Sequence, residues 1–260
     1  GTTRRDGVRS AARLIGIRIT RRFGSSSPRR ARSPPRRRSP PRRRAPIQAI
    51  SLSKNKHEFL KIGVTIACND QKILSILNNK VKTYKKLKKI GIQTPEFYYS
   101  SSKKEIGDQI KFLLEKRGSL VLKPSQGRGS RGVVVIDQIF TKNSFYHGSK
   151  ELHISPDNFF QDYFTSFNVK EQYIVMERLI EPVFDLDILA WDNKPINMVT
   201  RRRLNPAKPN NGHIIETNTK MLEIGIKVAE NFKLNWIFDI DFMMSQNGTP
   251  RVLEINSRAS

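Results

Sequence analysis

Residues 236–256 read WIFDIDFMMSQNGTPRVLEIN, and two aspartates in this stretch restrict the fold more than any other pair in the chain. Asp239 and Asp241 alternate with Phe238, Ile240 and Phe242. In a strand, both carboxylates therefore leave one face and the large apolar side chains leave the other. The turn Gln246-Asn247-Gly248 follows, and PRVLEIN reads as the returning strand of a hairpin. Glu254, Asn256 and Arg258 are spaced two apart, so the same alternation puts them on one face, and pairing can bring Asp241 near Glu254. Two inward-facing acids are costly unless a cation or an arginine compensates them. Asp241, Glu254 and Asn256 supply carboxylate, carboxylate and amide oxygens, a donor set that suits Mg²⁺, with Mn²⁺ as the alternative. The competing reading is a sheet face neutralised by Arg251 or Arg258.

A second stretch, VLKPSQGRGSRGVVVI at 121–136, is an apolar strand, a glycine-rich loop and another strand. The loop lacks the GxGxxG strand-to-helix arrangement of a dinucleotide fold, and no Gly-Lys-Ser/Thr closes it as in a Walker A loop. It reads as a flap. Gly127, Gly129 and Gly132 let backbone amides approach phosphate oxygens, and Ser130 and Arg131 add donors. Lys123, at the end of the strand before it, can place a point charge against a phosphate, or snorkel to the surface. Arg201, Arg202 and Arg203 follow an apolar run, and only alternate members share a side. Arg201 or Arg203 could neutralise a transferring phosphoryl group. His213 sits in the polar segment NPAKPNNGH and reads as incidental.

Charge divides the chain. Residues 1–45 hold 16 arginines, no lysine and one acid, Asp6, whereas the remainder holds 23 lysines and 9 arginines. Residues 24–46, GSSSPRRARSPPRRRSPPRRRAP, cannot build a packed core, because proline removes donors and like charges repel. Residues 1–46 are therefore expected to be a disordered leader. The switch from arginine to lysine marks a junction between unlike sequences, as a leader not native to the domain would give. The other readings are a tail without specific role and a nucleic-acid-binding tail. The stretch 24–46 offers no aromatic platform, so nucleic acid is expected only as a non-specific partner of the leader.

The lone cysteine, Cys68, excludes an intrachain disulfide and fits a reducing, cytoplasmic setting. No apolar run approaches the roughly 18–20 residues that span a bilayer, so no membrane partner is expected. The segment 56–77 reads as a helix end, a short apolar strand around GVTIAC, and a second helix through Ile73, Ile76 and Leu77. Lys80 to Ile90 is a basic amphipathic helix with Val81, Tyr84 and Leu87 on one face, stopped by Gly91 and Pro95. Helices are expected over 103–117, 157–168 and 217–232. Strands are expected at SLVLKP, GVVVID, YIVMERL, FDLDILAW and INMVTRRRL, besides the last hairpin. Strands and helices come in groups rather than in strict alternation, which favours an α+β fold in lobes over a doubly wound sheet.

With these segments in this order, the chain from about Ile62 to Ser260 resembles the ATP-grasp superfamily, and within it the carbamoyl-phosphate synthase large-subunit-like branch. The resemblance is carried by NKVKTYKKLKKIGIQTP, VLKPSQGRGSRGVVVI, YIVMERLIEPVFDLDILA and DFMMSQNGTPRVLEINSRAS. It implies an ATP-grasp fold, with two α+β lobes clasping ATP across residues 79–260. A truncated N-terminal α/β domain, residues 47–78, would precede it. It implies that Lys80 and Lys123 contact phosphates beneath the loop Gly127–Gly132, and that Met176, Glu177 and Leu179 border adenine. Asp241, Glu254 and Asn256 would ligate magnesium, with Arg258 facing the transferred phosphoryl group. The reaction implied is ATP-dependent activation of a small carboxylate as an acylphosphate, which an amine or ammonia attacks. Two positions depart from the family pattern: Val183 stands where a ribose-binding Glu is usual, and Ser257 where Pro is usual. The competing functions are an ATP-binding module without ligase activity and a nucleic-acid-binding protein acting through the leader. Oligomeric state and substrate identity are not legible.

Overall fold

The computed structural model describes residues 45–127, 129–145, 150–206 and 211–258. The expected leader lies outside the described residues up to residue 44, and helix α1, Ala45–Lys54, follows it. Leu52–Ser260 form one compact unit.

Short helices α2 (Lys56–Lys61) and α3 (Gln71–Leu77) lead into α4 (Lys80–Lys89). Asn79 caps α4 by accepting from the Lys82 amide, and Val81, Tyr84 and Leu87 form its buried face as the sequence period requires. Helix α5 (Lys103–Arg117) is capped by Ser102 and ends at Gly118, whose φ of 72° favours a residue without a Cβ. Around α5 stands a six-stranded sheet in the order β1-β6-β2-β3-β5-β4. Its strands are β1 (Phe97–Ser100), β2 (Ser119–Pro124), β3 (Val134–Asp137), β4 (Ser144–Phe145), β5 (Leu152–Ile154) and β6 (Tyr173–Glu177). Ile106, Ile110 and Leu113 of α5 share one core with Leu120, Leu122, Ile136 and Val175. Residues expected to be helical at 157–168 form short consecutive pieces, Pro156–Asn158, a π-turn Phe159–Tyr163, and Phe164–Ser166.

A five-stranded antiparallel sheet in the order β11-β10-β7-β8-β9 makes the second layer. It comprises β7 (Ile180–Trp191), β8 (Lys194–Arg203), β9 (His213–Ile215), β10 (Trp236–Met244) and β11 (Pro250–Asn256). Its Phe184, Leu186, Ile188, Phe238, Ile240 and Phe242 join a core with Met221, Val228, Ala229 and Phe232 of the helix Thr219–Phe232. The β7–β8 turn places Asp192 and Asn193 at φ of 48° and 62°, as its Asp-Asn pair permits. Among the described residues, no helix is long and apolar enough to cross a membrane.

Four expectations change. GVTIAC does not form a strand: neither sheet includes it, and an extended segment without a ladder leaves its backbone to irregular bonding. Cys68 is thus in irregular chain rather than in a strand. Strand β11 ends at Asn256, so Arg258 lies beyond the strand and is exposed rather than sharing its face. Strand β7 starts at Ile180, ahead of the expected Phe184, which carries Val183 into the ladder as a buried side chain. His213 belongs to β9, not to a loop; a three-residue strand after a Pro/Asn-rich segment has too few positions for a period to register.

Gly225 is where the helix Thr219–Phe232 meets its sheet most closely. A Cβ there would come within 2.7 Å of Leu186 Cδ2, 3.0 Å of Ile188 Cδ1 and 3.3 Å of Met198 Sδ. Gly225→Val is expected to destabilise the fold by about 2 kcal/mol through overpacking. Urea denaturation should show a lower midpoint with an unchanged slope.

Candidate functional site

Sheet register concentrates the acids. Asp241 lies opposite Glu254 on one side and opposite Asp185 on the other, and Asp185 lies opposite Arg201. The next row joins Asn256, Asp239 and Asp187. Directly opposed residues share a face, so these polar groups all leave the sheet on the side away from the helix Thr219–Phe232. Carboxylate oxygens of Asp185, Asp239 and Asp241 lie within 4.8 Å of one another. The hairpin therefore brings together the expected ligands Asp241, Glu254 and Asn256 on one face. The hairpin also adds Asp239, and the β7–β10 pairing adds Asp185; neither was named as a ligand.

Compensation for this charge is partial. Arg203 grips Asp185 in a bidentate fork, with Nε 3.0 and 2.9 Å from the two carboxylate oxygens, and its Nη2 is 3.3 Å from Asp241 Oδ1. His213 Nε2 is 3.2 Å from Asp185 Oδ2. Arg203 outweighs burial at Asp185 and holds its carboxyl below the usual range. At Asp241, burial and the neighbouring carboxylates Asp239, Asp185 and Glu254 outweigh Arg203 and push the carboxyl well up. One face thus holds a carboxyl that would ionise readily if a cation arrived. All the donors are oxygens, so the set fits a hard divalent ion.

A β-bulge ties this face to the first sheet. Asp241 pairs with Glu254 but Phe242 pairs with Val252, so Leu253 is the extra residue. Its carbonyl accepts from the Tyr84 hydroxyl at 2.8 Å. The Lys123 ammonium lies 3.2 Å from the same hydroxyl. Lys123 is 5 % exposed; burial, with Lys80 adding to it, lowers its pKa to about 7. Lys80, the first residue of α4, donates to the Gly127 carbonyl at 2.9 Å and lies 3.6 Å from Glu254 Oε1. Two lysines, the glycine loop and the acid row therefore converge. Ser130, Gly129 and Gly132 hold φ of 55°, 61° and 74°, the left-handed conformations that the loop's glycines make accessible. Arg128 lies outside the described residues.

The remaining expected residues are placed as follows. Arg201 pairs with Asp187, its Nη2 3.0 Å from Oδ1, while Arg203 takes the position beside Asp185 and Asp241. Met176 and Leu179 are buried in the core. Glu177 sends its carboxylate towards Arg117, 3.5 Å away, and its amide donates to the Glu96 carbonyl at 2.9 Å. Asp185 could have been found from sequence, because FDLD repeats the alternation of FDID. The hydroxyl of Tyr84 carries no such signal, since the helix period marks that position only as core.

Residues 169–260 match the family described as ATP-grasp in the biosynthetic pathway with Ter operon. An uncharacterised protein of Methanocaldococcus jannaschii is 26% identical over 198 residues, covering 73% of this chain and 43% of that protein. Among solved structures, D-alanyl-alanine synthetase A from Vibrio cholerae aligns with a TM-score of 0.57 at 13% identity, over 79% of this chain and 63% of that one. D-alanine–D-alanine ligase from Coxiella burnetii gives a TM-score of 0.57 at 13% identity, over 79% and 55%. The ATP-grasp ligase PsnB, complexed with minimal precursor, Mg and ADP, gives 0.55 at 13%, over 81% and 59%. The chain has the ATP-grasp fold, and the sequence match over residues 169–260 supports the ATP-grasp superfamily. It spans less than two thirds of the length of each of these relatives.

The raised carboxyl of Asp241 has a measurable consequence. A carboxyl whose folded pKa lies above its unfolded value stabilises the fold below the unfolded value and loses that contribution as pH rises through the folded one. Asp241→Asn should therefore melt higher than the wild type at pH 8 without divalent cations, with the gap closing as pH falls. Differential scanning calorimetry across pH checks this.

Proposed function

We propose that the chain is the ATP-binding part of an ATP-dependent carboxylate–amine ligase, with Mg·ATP held between its two sheets. The observation that supports this most is the convergence of Lys80, Lys123 and the loop Gly127–Gly132 on the row of Asp241, Glu254 and Asn256. Nucleotide phosphates bring negative charge to two lysines and need a cation against the acids. Lys80 and Lys123 would contact phosphates, with Gly129, Ser130 and Gly132 covering them through backbone amides. At residues 176–179, Met176, Glu177 and Leu179 are occupied by side-chain packing or pairing. The backbone of this hinge, rather than its side chains, would border adenine.

Asp241, Glu254 and Asn256 would hold Mg²⁺, with Mn²⁺ an alternative, and Asp185 beside Asp241 and Asp239 beside Asn256 would support them. When bound, the ion supplies charge neutralisation and Lewis-acid polarisation of phosphate oxygens. Little covalent chemistry is required of the protein in phosphoryl transfer, so its side chains act by positioning and by charge. Lys123, buried and lowered to about 7, gains most from an approaching anion. The reaction proposed is transfer of the terminal phosphoryl group to a carboxylate, giving an acylphosphate. An amine or ammonia would then attack it and release phosphate. Arg258 and Arg201 are the arginines proposed for the phosphoryl group. The motif order further suggests the carbamoyl-phosphate synthase-like branch, and a lone Cys68 fits a cytoplasmic enzyme.

One observation favours a second reading, an ATP-binding module without turnover. Arg201 is engaged by Asp187, and Arg258 is exposed beyond the end of β11, so neither faces the acid row directly.

Titration calorimetry with a non-hydrolysable ATP analogue should show saturable binding that tightens with Mg²⁺. Glu254→Gln should lose at least about tenfold in affinity with Mg²⁺, as for loss of one charged contact, and little without it. Equal loss in both conditions would remove Glu254 from the metal site. With carboxylate and amine pools, turnover should release ADP and phosphate; AMP and pyrophosphate would contradict the acylphosphate route.

A further inference from the structure

Tyr84 is fully buried on a helix face that is otherwise packed against aliphatic and aromatic side chains, where phenylalanine would fill the same space. Its hydroxyl nevertheless has two close oxygen or nitrogen partners, besides Met176 Sδ at 4.0 Å, and they belong to different sheets: Lys123 at the end of β2 and the bulge carbonyl of Leu253 in β11. The direction of these bonds is fixed by chemistry. A carbonyl only accepts, so the single phenolic proton goes to Leu253 O, and the phenolic oxygen then accepts from Lys123 Nζ. The ammonium also lies 5.5 Å from the centroid of the Tyr84 ring. The ring itself is held edge-on against Phe97, with centroids 5.1 Å apart. Burial pushes the phenol pKa up, so the proton stays on the oxygen at neutral pH.

We infer that Tyr84 is a positioning residue: it aims Lys123 at the phosphates and sets that lysine against the strand that carries Glu254. The proposal rests on the nucleotide reading of the site. Three features combine. A bulge leaves Leu253 without a partner residue in β10, a helix delivers a hydroxyl to its carbonyl, and a buried lysine has that hydroxyl as its acceptor. Leu253 immediately precedes Glu254, and Lys80 of the same helix lies beside Glu254. One helical turn therefore sets both lysines relative to the acid row.

The test is a double-mutant cycle on Tyr84→Phe and Lys123→Met, read as affinity for a non-hydrolysable ATP analogue with Mg²⁺, with melting curves on each protein. If Tyr84 acts through Lys123, Tyr84→Phe weakens binding by about tenfold in the wild-type background and by less than about twofold with Met at 123. A purely structural tyrosine would cost the same in both backgrounds, and that result, or no loss in either, overturns the proposal. Should Tyr84→Phe melt early, 3,5-difluorotyrosine at position 84 keeps the ring and hydroxyl while weakening the oxygen as an acceptor. It is expected to weaken binding only when Lys123 is present, and equal effects in both backgrounds would again overturn the proposal. A folded wild-type chain that binds no analogue would overturn the nucleotide reading and this proposal together, whereas binding with additive losses would overturn this one alone.

Discussion

Carboxylates facing one another across adjacent strands are the constraint from which the rest of the site follows. Asp185, Asp239 and Asp241 lie on one sheet face, with Arg203 and His213 drawn into direct contact with Asp185, and Arg203 also reaching Asp241. Like charges at this spacing repel, and burial weakens the screening that would spare them. The fold tolerates the cost because the opposite face of the same strands is a continuous apolar layer against the helix Thr219–Phe232. A strand that alternates Phe, Asp, Ile, Asp, Phe can serve both faces at once, and that alternation sets the register of its neighbours.

The two sheets meet at this face through specific contacts. Lys80 joins the start of α4 to the glycine loop and to Glu254, while Tyr84, one turn later, joins Lys123 to the bulge at Leu253. Positive charge from one sheet and negative charge from the other are thus held opposite each other before any ligand arrives. Preorganised charge of this kind costs no rearrangement at the moment of phosphoryl transfer. It also explains why Lys123 and Asp241 depart from their ordinary pKa values in opposite directions. Each is a buried group whose charged form lacks enough of its counterpart.

Much of this was legible in the sequence because period-2 alternation is a strong signal over seven or more residues. It located β10, β11 and the shared face of Asp241, Glu254 and Asn256, while the glycines marked the strand–loop–strand segment after Lys123. Helical period likewise marked Val81, Tyr84 and Leu87. What escaped had physical reasons. GVTIAC looks like a strand, but strand formation depends on a neighbour that composition cannot reveal. Strand β9 is too short to show a period, so the role of His213 beside Asp185 was hidden. Choosing between Arg201 and Arg203 required the side-chain geometry: the register sets Arg201 opposite Asp185, yet the ion pairs put Arg203 on Asp185 and Asp241 and Arg201 on Asp187. The bulge at Leu253 gives no sequence signal, and without it the second partner of Tyr84 could not be foreseen.

The central claim is that the acid row and the two lysines form one site that a divalent ion and a nucleotide occupy together. The most direct measurement is paramagnetic broadening of backbone amide resonances by Mn²⁺, recorded with and without a non-hydrolysable ATP analogue. The amides of residues 239–241 and 254–256 should broaden strongly only when ion and nucleotide are both present, with those of the loop 127–132 affected next. Broadening centred elsewhere in the chain, or an identical pattern with and without nucleotide, would contradict the claim.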